Sequence, residues 1–248
     1  MSGIDVPYHL RPNKFVDRQI FVDLLHRLDR VRPLSKSMYV SMGGKFLDDH
    51  KAVRFAFDLL GSASIEKFDR VVPRQDFNKP FEDVKCIRSE SKDFVHGFSE
   101  FRAEYPEGTN FLVWLDYVAP NERLSQLEEF STLIGFGQPY DVVRLTLNAN
   151  VETVKGSDAK KPDQFKTVRD WRLSVFASQM SKFPSQPTES EMTAAAFPAL
   201  LARTVGVAAR EGTKGKKFVA RPLSVTAYTD VHTMLSITAI LLPVEDAD

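Results

Sequence analysis

Two adjacent glycines, Gly43 and Gly44, follow the apolar run "SMYVSM" and precede an amphipathic segment. Glycines here allow a ligand to approach the backbone closely, and a helix that follows them presents unpaired N–H groups. The next apolar run ends about 20 residues later at Glu66, a spacing at which a carboxylate reaches the hydroxyls of a ribose. A carboxylate accepts two hydrogen bonds from such a diol. These residues predict a nucleoside site, although a tight turn followed by a solvated acidic residue gives the same pattern.

Two acidic residues, Asp48 and Asp49, lie in the first turn of the segment after the glycines. Carboxylates at a helix N-terminus would repel the pyrophosphate of a dinucleotide, and the glycines do not follow the G-x-G-x-x-G pattern of dinucleotide-binding turns. The two carboxylates would not repel a cationic nucleoside such as S-adenosylmethionine. A nicotinamide-dependent oxidoreductase is therefore the weaker alternative. That both aspartates simply complement the helix dipole stays open.

Polar side chains also end the later apolar runs: Ser89 and Glu90 follow one, Asp116 ends the next, and Asn148 and Asn150 follow another. Because ligands of parallel sheets bind at the carboxyl ends of the strands, these side chains are expected at one site. Asp116 is a catalytic candidate, as the base for a substrate hydroxyl, with a loop-fixing role as the alternative. Asp116 and the two asparagines also offer oxygen ligands to a divalent ion. Two amides and one carboxylate bind Mg²⁺ weakly, so no metal is predicted.

The elements that would position these residues alternate between strand and helix patterns. Five apolar runs predict strands: "SMYVSMGG", "SASIEKFD", "VKCIRSES", "TNFLVWLDYV" and "YDVVRLTLNAN". Their alternation with helical patterns indicates a parallel, doubly wound sheet. The final runs, "FVARPLSVTAYTD" and "HTMLSITAILLP", are separated by a short turn and predict an antiparallel hairpin. Pro222 places the first of these two strands at a sheet edge.

Local signals predict where several helices begin and end. We expect Gly61 to cap the helix "LDDHKAVRFAFDLLG" and a single helix over "DFVHGFSEFRAEY". Asn13 is expected to cap the first helix, "FVDRQIFVDLLHRLDRV". Alternatively, the polar run that contains Arg11, Asn13 and Lys14 folds over the strand ends, where Arg11 would bind an anionic group.

His232 is the second catalytic candidate, because the turn between the last two strands lies on the edge of the sheet where the site is expected. Asp230 is close enough in sequence to orient the imidazole. A solvent-exposed turn histidine is the alternative. Cys86 lies inside a predicted strand and is interpreted as a small buried hydrophobic residue. The loop "KGSDAKK" after the fifth strand lies on the side of the expected site and could attract a polyanion.

The overall composition is that of an ordinary globular protein. The chain has 248 residues, and its 33 basic side chains balance its 33 acidic ones, so net charge does not indicate nucleic acid or an anionic membrane as a partner. The single cysteine excludes an intramolecular disulfide and suits a reducing compartment. No apolar run reaches the roughly 18 residues of a membrane span, and the first residues lack the apolar core of a signal peptide. We therefore expect a single cytoplasmic domain.

Four stretches together resemble a bacterial family of O-methyltransferases with an "LRPNK" element ahead of a class I methyltransferase core: "YHLRPNKFVDRQIFVDLL", "GGKFLDDH", "SIEKFD" and "RQDFN". The resemblance is most specific over residues 8–96. It implies a Rossmann-like, mostly parallel seven-stranded sheet with the final strand inserted antiparallel, helices on both faces and S-adenosylmethionine as cofactor. Residues 1–33 would form an N-terminal segment and helix, 38–150 the cofactor-binding core, and 151–248 a helical region with the hairpin.

The same resemblance implies a role for each strand-end residue. Gly43, Gly44 and Phe46 would line the methionine end of the cofactor, and Glu66 would hold the ribose. Lys67 and Phe68 would flank the adenine, Ser89 and Glu90 would lie near its amino edge, and Asp116 would lie near the transferred methyl group.

The expected function is methyl transfer from S-adenosylmethionine to an oxygen of an acceptor that the sequence does not identify. "LDYVAP" lacks the Asn/Asp-Pro-Pro-Tyr/Phe element of many amino-directed DNA methyltransferases, which disfavours methylation of base nitrogens. The glycine pattern is shorter than the usual G-x-G-x-G of these enzymes. A catalytically inactive methyltransferase-like module within a bacterial complex, for example in defence, is therefore the main alternative.

Overall fold

A computed structural model describes residues 11–155 and 160–246, and these residues contain a seven-stranded sheet and eight α-helices. The strands are β1 (Ser37–Ser41), β2 (Gly61–Glu66), β3 (Val84–Arg88), β4 (Asn110–Asp116), β5 (Val142–Asn148), β6 (Phe218–Thr229) and β7 (Thr233–Pro243). The helices are α1 (Pro12–Val31), α2 (Asp48–Ala56), α3 (Val72–Asn78), α4 (Ser91–His96), α5 (Phe98–Ala103), α6 (Arg123–Gly135), α7 (Val168–Gln179) and α8 (Phe197–Gly212).

The strand order is β3-β2-β1-β4-β5-β7-β6. The first five strands pair in parallel, and β7 pairs antiparallel with both β5 and β6. This order confirms the predicted α/β fold, a mostly parallel sheet with an antiparallel C-terminal hairpin. The chain reverses its direction of sheet growth between β1 and β4, the point at which open parallel sheets bind their ligands. Pro222 lies in the edge strand β6, beside a register shift, as its missing N–H predicts.

The central strand β4 separates two cores, because successive side chains of a strand point to opposite faces. Phe111, Val113 and Leu115 face a large apolar core with side chains from α4 to α8. Leu112 and Trp114 face a smaller core beneath α1 and α2. We call the sheet surface under α4–α8 the α8 face and the surface under α1 and α2 the α1 face.

A fully buried ion pair crosses the α1 face. Arg144 of β5 donates from Nη2 to the Oδ1 of Asp17 in α1 at 2.6 Å, and from Nη1 to the hydroxyl of Thr238 at 2.7 Å. The Asp17 carboxylate also accepts hydrogen bonds from Thr226 and Ser236. These bonds tie α1 to β5, β6 and β7, and so they fix the position of the helix that approaches the strand ends.

Several predicted boundaries differ from the structure. Helix α2 ends at Ala56, and Gly61 is not its cap but the first residue of β2, paired with Met38, so that prediction is wrong. The helix predicted over residues 93–105 is divided at Gly97 into α4 and α5. Asn13 does not cap α1, because the helix begins at Pro12, whose missing N–H suits the first turn. Cys86, in the edge strand β3, is half-buried rather than fully buried.

Within residues 11–155 and 160–246, no helix combines the length and the apolar character needed to cross a bilayer.

Candidate functional site

A cavity of about 400 Å³ opens at the carboxyl ends of β1, β2 and β4. It brings together all of the predicted cofactor residues: Gly43, Gly44, Phe46, Glu66, Lys67, Phe68, Ser89, Glu90 and Asp116. These positions are far apart in the sequence and meet because parallel strands end at the same edge of the sheet.

The turn between β1 and α2 forms the floor of this cavity. Gly44 has a φ of 54°, in the left-handed region that favours glycine. A Cβ on Gly43 would lie 2.7 Å from side-chain atoms of both His50 and Leu47, so any other residue would clash. The Gly43 N–H donates to the Ser64 hydroxyl of β2 at 3.2 Å. The glycines are therefore required by the packing of the turn itself, in addition to any role in ligand approach.

Helix α3 holds the same turn from the other side. Gln75 donates from Nε2 to the Gly44 carbonyl at 2.9 Å, and Asn78 donates from Nδ2 to the Lys45 carbonyl at 2.8 Å. With two backbone carbonyls anchored, the turn has a fixed shape before any ligand binds.

Glu66 ends β2 and faces the cavity. Its Oε1 accepts the Phe68 N–H at 3.0 Å, which orients the carboxylate. Burial raises the pKa of Glu66, and the backbone N–H groups of Phe68 and Lys67 oppose this shift. The Lys67 ammonium lies 5.3 Å from the centre of the exposed Phe68 ring. Ser89, which follows β3, is bonded to the end of β2, because its N–H donates to the Glu66 carbonyl at 3.1 Å.

Asp116 ends β4 and forms an ion pair with Lys14 of α1. The Lys14 Nζ lies 2.7 Å from Oδ1 and 2.8 Å from Oδ2, so both carboxylate oxygens accept from one ammonium. The lysine side chain is buried, and its ammonium lies 4.9 Å from the centre of the Trp114 ring. Asn13 contacts the hairpin instead, by donating to the Thr229 carbonyl at 2.6 Å. The start of α1 therefore covers the ends of the strands. This was the second of the two alternatives predicted for the segment that contains Arg11, Asn13 and Lys14.

Arg18 lies one helical turn after Lys14 and also lines the cavity. It is 5% exposed, and its Nε has no hydrogen-bond partner. The sequence analysis missed this residue, because α1 reads as an ordinary amphipathic helix with charges facing solvent. The i, i+4 spacing from Lys14 was the available signal.

Asp49 of α2 is buried and bonded to β1. It accepts hydrogen bonds from the Tyr39 hydroxyl at 2.9 Å and from the Ser41 hydroxyl. Since Ser41 donates to Asp49, its oxygen accepts from the Nε2 of His50 at 2.9 Å. Burial alone would raise the pKa of Asp49, but His50, the Ser41 hydroxyl and Arg18 lower it. Asp49 therefore anchors α2 to the sheet, a role that neither explanation in the sequence analysis included.

The environment of His50 favours the neutral imidazole. Burial lowers its pKa, against the attraction of Asp49. Its Nδ1 is buried without a hydrogen-bond partner. A lone pair without a partner costs less than an unpaired N–H donor on a charged ring, so the geometry and the pKa direction agree.

The α6 side of the cavity carries a second residue that the sequence analysis missed. Gln126 is 2% exposed and donates from Nε2 to the Ala119 carbonyl at 2.9 Å. Its Oε1 is buried without a partner. Nearby, the Tyr117 hydroxyl donates to the Glu129 carboxylate, and burial together with that carboxylate raises the pKa of Tyr117. An unused acceptor therefore lies at this end of the cavity.

The cavity is rich in acidic side chains although the chain as a whole is neutral. The acidic lining residues are Asp48, Asp49, Glu66, Glu90, Asp116, Glu122 and Glu129, and the basic ones are Lys14, Arg18, Lys45, Lys67 and Lys92. Acid-rich walls favour a ligand with positive charge over a polyphosphate.

The structure does not bring His232 into this group. It is exposed in the β6–β7 turn, its carbonyl accepts the Asp230 N–H at 3.2 Å, and it does not line the cavity. The oxygens considered for a metal are used in a turn, because Asn148 Oδ1 accepts from the Asn150 N–H and Asn150 Oδ1 from the Glu152 N–H. The described parts of the chain contain no group of three or more His, Cys, Asp or Glu residues that could hold a metal ion. Most of the "KGSDAKK" loop lies outside the described residues.

Comparisons with known proteins agree with the fold. A family model described as "Putative O-methyltransferase" matches residues 6–248. Trm1 from Pyrococcus horikoshii, solved with S-adenosyl-L-methionine, is similar with a TM-score of 0.60 and 12% identity, over 94% of this chain and 56% of that chain. The O-methyltransferase TomG from Streptomyces achromogenes, solved with SAM, has a TM-score of 0.46 and 13% identity, over 90% of this chain and 80% of that chain. A search of curated proteins finds no match. At 12% identity, the similarity to Trm1 establishes the fold alone.

Proposed function

The chain belongs to the family described as "Putative O-methyltransferase", and from this premise we propose that its cavity binds S-adenosylmethionine and that the protein methylates an oxygen atom of an acceptor. One observation carries the proposal. A glycine turn, a carboxylate at the end of β2 and a carboxylate at the end of β4 line a single acid-rich cavity.

The residues present fit this cofactor. The volume of about 400 Å³ lies within the range of roughly 300–1,000 Å³ that is common for small-molecule sites. Glu66 offers a carboxylate to the ribose diol, and Phe68 offers an aromatic face beside it. The unused Oε1 of Gln126 offers an acceptor to an amino group. When bound, S-adenosylmethionine supplies a methyl group on a positively charged sulfur, which the acid-rich walls would favour.

The remaining chemistry is positioning and proton removal. Gly43 and Gly44 would leave room for the methionine part of the cofactor, and the anchored turn would hold it in a fixed orientation. Ser89 and Glu90 would lie near the adenine. Asp116 is the proposed residue for the acceptor hydroxyl, where a carboxylate can take up the proton that the oxygen loses. Lys14 orients that carboxylate through both of its oxygens. His232 has no role in this proposal, because it does not line the cavity.

Calorimetric titration with S-adenosylmethionine tests the binding step. We expect wild-type protein to bind, and Glu66→Ala to bind about 10- to 100-fold more weakly, because hydrogen bonds to a charged group are lost. Glu107→Ala is the matched control, since Glu107 is exposed in the turn before β4 and far from the cavity lining. Wild-type protein that remains silent at millimolar ligand would rule the proposal out.

Transfer of a tritiated methyl group to fractionated cell extract tests the reaction. Asp116→Asn should still bind the cofactor while losing transfer. Binding without transfer by wild-type protein to any fraction would instead favour the inactive module.

A further inference from the structure

Arg18 is a buried arginine without a hydrogen-bonded partner. No hydrogen bond or ion pair of its guanidinium is found within residues 11–155 and 160–246, and its Nε is among the buried atoms that lack a partner. The Arg18 charge lowers the pKa of Asp49, but the oxygens of that carboxylate already accept from Tyr39 and Ser41. A buried charge with no partner is costly, and proteins rarely retain one.

Two other arginines show how this chain treats a buried guanidinium. Arg144 is fully buried and its two Nη atoms bond to Asp17 and Thr238, although its Nε, like that of Arg18, has no partner. Arg123 is 2% exposed and donates to two backbone carbonyls and to Thr153. Arg18 is buried almost as deeply, at 5% exposed, but it lines the cavity instead of meeting protein partners. The difference indicates that its partner is supplied by a ligand.

Few chemical groups suit the Arg18 guanidinium in this cavity. A guanidinium presents a planar fork of N–H donors that matches a carboxylate with two parallel hydrogen bonds. The acid-rich walls would repel a phosphate dianion more strongly than a single carboxylate. Arg18 also lies next to Lys14, the partner of Asp116, and close to Asp49 beside the glycine turn. This is the end of the cavity proposed for the methionine part of the cofactor.

We propose that Arg18 binds the carboxylate of the methionine part of S-adenosylmethionine and thereby selects for nucleosides that carry an amino-acid tail. The inference rests on the proposed function and adds to it a residue outside the methyltransferase core pattern. Arg18 reaches the cavity from α1, the helix that precedes β1. The N-terminal helix is then a wall of the cofactor site.

Two ligands that differ only in this carboxylate test the proposal: S-adenosylmethionine and decarboxylated S-adenosylmethionine. Titration calorimetry compares them on wild-type protein, on Arg18→Met, and on Arg27→Met as the matched control, because Arg27 is exposed on the same helix. We expect wild-type protein and the control to bind the decarboxylated ligand about 10- to 100-fold more weakly. Arg18→Met should lose this preference. It should bind the decarboxylated ligand at least as tightly as wild-type protein does, because a repulsive positive charge is gone.

The other outcomes separate the possible failures. If wild-type protein binds neither ligand, the proposed function itself fails. If Arg18→Met weakens both ligands by the same factor, Arg18 is merely structural and the inference is overturned. If Arg18→Met keeps the wild-type preference, another residue binds this carboxylate, and the inference is again overturned. The thermal midpoint of the ligand-free variant should be no lower than that of wild-type protein, since removing an unpaired buried charge costs little. Should Arg18→Met fail to fold, Arg18→Lys keeps the charge without the fork and should show a reduced preference.

Discussion

The two faces of the sheet are stabilised by different interactions. The α8 face has the larger apolar core, with the rings of Phe98 and Phe111 in mutual contact. Its charged side chains include the buried Arg123, which donates to backbone carbonyls, and the Arg102–Asp141 pair. The α1 face has a smaller apolar cluster and buries charged groups among it, including Asp17 and Arg144. Every residue of the α1 helix that enters the cavity lies on this polar side.

The difference assigns separate roles to the two faces. The hydrophobic effect is non-directional and grows with the apolar area buried, so the larger core of the α8 face contributes mainly stability. Hydrogen-bonded charges are directional, and Asp17 lies between Lys14 and Arg18 on the same helix. The buried bonds of Asp17 therefore set the rotation and height of α1, and with them the positions of two cavity residues. Three substitutions test these separate roles.

The largest effect is expected at the ion pair of the α1 face. Asp17→Asn leaves the Arg144 charge buried without its counterion, which should lower the free energy of unfolding by about 3–5 kcal/mol. Urea denaturation measures the loss. The double variant Asp17→Leu with Arg144→Met should recover most of it, because apolar side chains can replace a buried pair. A loss below about 1 kcal/mol for Asp17→Asn would mean that the charges of this face are not tightly coupled.

The sequence predicts the scaffold better than the polar face. Unbroken apolar runs specify parallel strands, and strand order then determines which residues meet at the carboxyl edge. Glu66 and Asp116 were predicted to meet in this way, and both line the cavity. The O-methyltransferase family indicated by the motifs of residues 8–96 is confirmed over residues 6–248. The prediction that Gly61 caps α2 was wrong, because a glycine that follows a helical pattern can equally well begin the next strand.

The missed residues are those whose role depends on tertiary packing. A charge on an amphipathic helix usually faces solvent, and no local pattern distinguishes Arg18 from Arg27 on α1. Gln126 is similarly hidden in a helix of mixed polarity. Arg144 carried a signal, because an arginine within the apolar run "VVRLTLN" needs a buried partner. That partner, Asp17, lies more than a hundred residues from Arg144 in the chain. Its identity does not follow from the sequence.

The next effect concerns acidification and the buried imidazole of the α1 face. Burial lowers the pKa of His50 in the folded protein, whereas in the unfolded chain the imidazole takes up a proton below its ordinary pKa of about 6.5. Its contribution to stability is therefore complete above that pH and is lost as the pH falls. Between about pH 7.5 and 5.5 the loss should be at most about 1.4 kcal/mol.

Urea denaturation at both pH values measures this loss, with His50→Gln compared to wild-type protein. Glutamine retains an N–H for Ser41 but does not titrate, so the variant should lose less stability on acidification. Other groups with shifted pKa values, such as Glu66, remain in both proteins and cancel in the comparison. His232→Gln is the matched control, because it makes the same substitution at an exposed residue of the β6–β7 turn. Equal pH dependence in wild-type protein and His50→Gln would mean that the pKa of His50 is the same in the folded and the unfolded protein, which contradicts the prediction.

The smallest effect is expected at an ion pair whose geometry is almost the same as that of the largest. Lys182 and Glu128 lie 2.8 Å apart, against 2.6 Å for Arg144 and Asp17, but their side chains are 59% and 39% exposed, against 0% and 1%. Glu128→Gln should therefore lower the free energy of unfolding by less than about 0.5 kcal/mol in urea denaturation, and added salt should remove the difference. Water solvates either partner when the other is removed, which it cannot do beneath α1. A loss comparable to that of Asp17→Asn would show that the distance between the charges, and not their burial, determines what an ion pair contributes here.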